Sequence, residues 1–112
     1  MKQKINIRPI SINEGYSGKR YKTPAHRAWH KSVLFLLPKI PIPIPPYEIY
    51  LKFGFSSEKS DFDNCIKFFV DCLQEKYGFN DKLIRRAIIE TEIVEKGKEF
   101  IEFEIEKLTN YV

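Results

Sequence analysis

The sequence predicts one small two-layer α/β (α+β) domain, with elements in the order β-α-β-α-β-β and a mixed sheet ending in a C-terminal β-hairpin. Three observations predict it. Two stretches place apolar residues at the three-to-four spacing of a half-buried helix. Further stretches are rich in β-branched and aromatic residues or alternate apolar with polar, as strands do. Proline- and glycine-bearing clusters separate them. At 112 residues the chain has the size of a single domain, 1–112. A chain this short buries only about two-thirds of its unfolded surface, so its core is thin and self-association would help it.

Residues 4–11 read as a short strand ending in a turn. Asn13-Glu14-Gly15 and Ser17-Gly18 carry turn chemistry, so residues 12–22 are expected as a loop or loose hairpin. This arm mixes Tyr16 and Tyr21 with Lys19, Arg20 and Lys22. Thr23 followed by Pro24 is an N-cap with proline at the first helical position. The helix is expected to run to about Pro38, with Ala25, Trp29, Ser32, Val33, Leu36 and Leu37 on its core stripe. Pro38, Pro41, Pro43, Pro45 and Pro46 then alternate with isoleucines. Proline lacks a donor and turns the preceding residue away from helix, so this is an extended connector.

Residues 47–56 read as a strand. Ser60 and Asp63 form a capping box opening a second helix over about 61–77, with Phe62, Cys65, Ile66, Phe69, Val70 and Leu73 on its apolar face. Gly78 is placed to stop it. Residues 83–95 and 99–108 flank Lys96-Gly97-Lys98 as the two arms of the hairpin. One face would carry Ala87, Ile89, Thr91 and Ile93 with Ile101, Phe103 and Ile105. The other would carry Glu90 and Glu92 against Glu102, Glu104 and Glu106, a solvated face that repels nucleic acid.

Several classes are disfavoured by composition. No apolar run approaches the roughly 18 residues of a membrane span, so no membrane partner is expected. The N-terminus starts polar and breaks at Pro9, which does not read as a signal peptide. Cys65 and Cys72 stand too far apart along one rigid helix to bridge, and read as reduced, buried fillers in a cytoplasmic protein. The net charge of +4 is unevenly spread: residues 1–40 hold nine Lys and Arg against Glu14 alone, whereas residues 41–112 hold ten against fourteen acids. That asymmetry suggests one face made for a polyanion.

The chemistry gathers on the second helix. Asp63, Asn64, Lys67 and Asp71 share one side of it, Asp61 lies just before, and Asp81 follows after Phe79-Asn80. A bare Asp-x-Asp at a helix start reads as capping and as a response to the helix dipole. With the amide, the lysine and a later carboxylate, the set becomes what a Mg²⁺-dependent phosphodiesterase needs. Mg²⁺ prefers hard oxygen ligands, offsets charge on a phosphate and acidifies an attacking water. Lysine holds a phosphate oxygen or leaving group as a compact cation.

Asp61-Phe62-Asp63-Asn64-Cys65-Ile66-Lys67, then Asp71, then Gly78-Phe79-Asn80-Asp81, resembles the signature of the RusA family of Holliday junction resolvases, crossover junction endodeoxyribonucleases associated with phages. Ser11-Ile12-Asn13 after a strand, and a basic loop ending Arg20-Tyr21-Lys22-Thr23, extend the resemblance over most of the chain. It implies a homodimer that nicks four-way junctions symmetrically with Mg²⁺, or Mn²⁺ in its place, in a bacterial or phage-infected cell. By motif, Asp61, Asp63 and Asp81 would be the metal-binding catalytic acids and Lys67 the catalytic lysine. Asn13, Lys19, Arg20, Lys22, Asn64 and Lys67 would meet the branched DNA, and no small-molecule cofactor is implied. Family members commonly have Asp-Asp where this chain has Asn80-Asp81; the second position is the one that matches.

Reach adds a condition. From Asp63 to Tyr77 the helix advances about 21 Å at 1.5 Å per residue, and four more residues return at most roughly 13–14 Å. Asp81 therefore meets Asp61 and Asp63 of its own chain only if the loop doubles straight back. Otherwise two antiparallel helices across a dimer axis would form composite sites, each with Asp81 from the other subunit. Two composite sites per dimer are the expectation, with a self-contained site in one chain as the competing reading. His26 and His30, four apart on the first helix, read as exposed residues facing phosphate or as nothing functional. Trp29 reads as core, and Tyr16 and Tyr21 as either stacking platforms or loop packing. The rival functional class is a non-catalytic nucleic-acid-binding module on the same fold. A third reading, a protein-interaction adaptor using the edge of the hairpin, has no positive signal behind it.

Overall fold

The structure, a computed structural model, describes the backbone of residues 1–10, 16–17, 21–59 and 62–109, and the side chains of 1–10, 23–59 and 65–109. Its elements are β1 (Gln3–Ile5), β2 (Tyr16–Ser17), β3 (Tyr21–Lys22), α1 (Pro24–Leu36), β4 (Tyr47–Phe55), α2 (Phe62–Tyr77), β5 (Ile84–Ile93) and β6 (Phe100–Lys107). The predicted order β-α-β-α-β-β holds, with β2 and β3 forming a separate two-stranded antiparallel ribbon in the arm. The Ser60–Asp63 capping box falls outside the described side chains.

β1 is shorter than the predicted 4–11 strand. Beyond Ile5 the chain runs over the helices, and their side chains take its carbonyls: Trp29 Nε1 donates to the Arg8 carbonyl at 2.8 Å, and Cys65 Sγ to that of Ile10 at 3.0 Å. These bonds satisfy groups that a longer ladder would otherwise pair. Ile5 and Ile10 are both buried beneath them.

Thr23 caps α1 as predicted, its Oγ1 accepting from the His26 amide at 3.0 Å. Of the predicted stripe Trp29, Val33 and Leu37 point inward, joined by His26, while Ala25, Ser32 and Leu36 are exposed. The end of α1, Val-Leu-Phe-Leu-Leu, is apolar all round, so spacing there does not choose a face; contact with α2 and the sheet does. Along α2 the inward residues are Cys65, Phe68, Phe69, Cys72 and Leu73. Phe69 meets Phe53 and Phe103 edge-on, at ring separations of 6.3 and 5.8 Å. Among the described residues no helix is long and apolar enough to cross a membrane.

The C-terminal hairpin does not form. The sheet order is β1-β6-β4-β5, so β4 stands between β5 and β6, parallel to the first and antiparallel to the second. β4, α2 and β5 make a βαβ unit, in which the long helix carries the chain back to the end where β4 began. β4 buries Tyr47, Ile49, Leu51, Phe53 and Phe55 on its inner face, and the most apolar strand takes the middle. The link at 94–99 has to step past one strand, about 10 Å; six residues span up to about 20 Å. Val94 N–H ties its start to the Phe55 carbonyl at 2.7 Å.

This insertion also rearranges the glutamate face. Tyr50 and Lys52 of β4 separate Glu90 and Glu92 from Glu102 and Glu104. Lys52 Nζ lies 3.1 Å from Glu92, Arg86 3.1 Å from Glu48, and the N-terminal ammonium 2.7 Å from Glu104 and 3.0 Å from Glu106. Lys2 and Lys4 sit over the rings of Tyr50 and Phe100. The face is a compensated lattice of charges in place of facing carboxylates. Burial first, and then Glu90 and Glu102 nearby, push the Tyr50 phenol well above its ordinary range.

Candidate active site

Gly78 ends α2 in the left-handed region (φ 72°), its N–H donating to the Gln74 carbonyl at 2.8 Å. Two residues on, Asn80 caps a single 3₁₀ turn, Asp81–Leu83, by accepting from the Lys82 amide. The Gln74 side chain reaches to the same turn, Oε1 accepting from the Asp81 N–H at 2.8 Å. The loop therefore doubles back along the helix.

Its result is a groove of about 580 Å³ between α2 and the β4–β5 half of the sheet. Lys67, Asp71 and Asp81 lie on it, over walls from Ile66, Val70, Ile49, Leu51, Ile84, Ala87 and Ile89. Lys67 and Asp81 are exposed and Asp71 half-buried. Three of the charged groups singled out in the sequence thus share one groove within one chain. This meets the reach condition as far as Lys67, one helical turn beyond Asp63. Asp71, given no role of its own in the sequence reading, belongs to the groove; its i+4 spacing from Lys67 was the signal.

Most acids of the described residues are engaged. Glu48, Glu75, Glu92, Glu95, Glu104 and Glu106 are in ion pairs, and Ser56 donates to Glu99, whose carboxyl this bond holds below the usual range. No ion pair or side-chain hydrogen bond takes Lys67, Asp71 or Asp81 among the described residues. Carboxylate oxygens left uncommitted at an open groove suit a hard cation that keeps several of its waters. No group of three or more metal-ligating residues occurs among the described residues. Asp61 and the side chains of Asp63 and Asn64 lie outside them.

Asn13, Lys19, Arg20 and the Lys22 side chain also lie outside the described residues, as do the side chains of Tyr16 and Tyr21. The start of their arm is nevertheless placed: Cys65 holds the Ile10 carbonyl, so the chain enters residue 11 beside the first turns of α2. The two histidines differ from expectation. His26 is 2% exposed and meets Phe68 edge-on. His30 is half-buried, Nδ1 3.3 Å from Cys72 Sγ and Nε2 3.1 Å from Glu75. Neither Cys72 nor Glu75 is near them in sequence, and only the packing of α1 on α2 brings them together. Trp29, Cys65 and Cys72 are buried as predicted.

No family model matches the chain, and no curated protein matches it significantly.

Proposed function

We propose that this protein is a Mg²⁺-dependent endonuclease of branched DNA, of the RusA type, acting as a homodimer. The observation that carries the reading is the groove in which Lys67, Asp71 and Asp81 stand uncommitted while most other acids of the described residues are engaged. The sequence motif places Asp63 one turn before Lys67 and Asp61 just before the helix.

In this reading Asp61, Asp63 and Asp81 hold the cation through hard oxygens. Bound there, Mg²⁺ would offset charge on the scissile phosphate and acidify the attacking water. Lys67 holds a non-bridging oxygen and stabilises charge as water adds to phosphorus and one P–O ester bond breaks. The basic arm, leaving the core beside the same end of α2, grips flanking phosphates and sets the register.

Incubation with four-way, three-way and linear DNA, with and without Mg²⁺, tests the proposal. Branched substrates are expected to be cut with Mg²⁺ only, and Asp81→Asn is expected to bind DNA normally and cut none. Normal binding of a junction that remains intact with Mg²⁺ would sink the nuclease reading and leave a binding module.

A further inference from the structure

β5 is the last strand on its edge of the sheet and, at ten residues, the longest. Among the described residues no strand pairs with its outer side. Natural sheets blunt such edges with bulges, short strands or like charges. Here the register shift falls at the beginning of the strand, opposite Tyr47 and Glu48, and Arg86–Ile93 continues without interruption. Nor is the strand covered: Ile88 is 44% and Ile93 53% exposed. The groove is open on this side too, since Ala87 on its wall is exposed.

The order of residues along β5 indicates what fits it. On the charged face of the sheet it reads Arg86, Ile88, Glu90, with the cation and the anion equally far from the central isoleucine. Two such strands run antiparallel and centred on Ile88 put Arg86 opposite Glu90 twice and Ile88 opposite itself. On the inner face they put Ala87 opposite Ile89 twice. Directly opposed unlike charges and apolar pairs stabilise an antiparallel pair, whereas an edge of one sign would repel its own copy.

We propose that β5 pairs with β5 of a second copy of this chain about a two-fold axis at Ile88, giving one continuous eight-stranded sheet. The axis of an antiparallel pair is normal to the sheet, so both helical layers stand on the same side. The two grooves then face each other across a shared β5–β5 floor, and each copy supplies the side that the other's groove lacks. The consequence for paired incision rests on the nuclease reading above; the pairing itself does not.

Sedimentation velocity on the full chain, Arg86→Glu, Glu90→Arg and the double reversal tests the interface, with thermal melts to show that each variant is folded. The wild type is expected at twice 13.3 kDa. Each single reversal should raise the dimer Kd about tenfold or more, from two like-charge pairs per interface, and the double reversal should restore it. A wild-type monomer at tens of micromolar, or a dimer indifferent to both single reversals, overturns the proposal. A dimer that responds as stated but never cuts DNA leaves the interface standing and removes the nuclease. Cleavage by a wild-type monomer does the reverse.

Discussion

Gln74 holds the turn after α2 at two points, by its main-chain carbonyl and by its side-chain oxygen on the Asp81 N–H. The side-chain bond sets where Asp81 stands without touching the groove chemistry. Gln74→Leu is therefore expected to weaken Mg²⁺-dependent cleavage by about 10–100-fold, the scale seen when a supporting partner of a ligand is removed. The loss should appear as a higher Mg²⁺ requirement in a metal titration, with DNA binding unchanged. Tyr77 offers a second test. Its hydroxyl donates to the Pro38 carbonyl, and burial pushes its pKa up to about 12. A raised phenol pKa favours the neutral form in the folded state, so its contribution is full below the ordinary value near 10 and is lost as pH rises towards 12. Tyr77→Phe should flatten the fall of stability with pH in that window, read by denaturant melts at several alkaline pH values. An identical slope in the variant would assign the fall to other groups.

At the scale of elements, α2 is held by its aromatic face. Phe69 is fully buried between Phe53 of β4 and Phe103 of β6. Phe69→Ala is expected to cost about 3–5 kcal/mol, a large part of the roughly 5–15 kcal/mol that a domain has in total. Urea unfolding measures it. Gly54 pairs with Phe100, whose ring would lie 2.4 Å from an added Cβ. Gly54→Ala must displace that ring and the Lys4 ammonium stacked on it, and about 1–3 kcal/mol is expected by the same measurement. A contrasting case is Gly78, where a Cβ would meet nothing within 4 Å but φ is +72°. Alanine there should cost about 1 kcal/mol, from backbone conformation alone.

Over the whole molecule, charge is segregated. The first forty residues are strongly basic, while the glutamates of β5 and β6 lie on the sheet face away from the helices, where Lys52 pairs with Glu92 and the N-terminus with Glu104 and Glu106. DNA binding in the proposed reading should thus be steeply salt-dependent and carried by the arm. Replacing Lys19 or Arg20 with alanine is expected to reduce the slope of log K against log salt by about one each. A fluorescence-anisotropy titration at several salt concentrations reads it, and slopes that do not move would place the phosphate contacts elsewhere.

Element type and order were legible in the sequence because they depend on local periodicity and on punctuation. The Thr23-Pro24 cap, the proline connector, the alternation from Tyr47 and the Gly78 stop each act within a few residues. The motif from Asp61 to Lys67 and the later Asp81 were legible for the same reason. Tertiary structure alone decided what depends on remote partners. It inserted β4 between β5 and β6, since a six-residue link fits a hairpin and a step across one strand equally well. It chose the buried stripe of α1, whose apolar end had no preferred face. It brought Cys72 and Glu75 against His30. It also folded the loop after α2 back through the Gln74 bond, so that Asp81 lines one groove with Lys67 and Asp71, which helix length and chain reach alone did not decide.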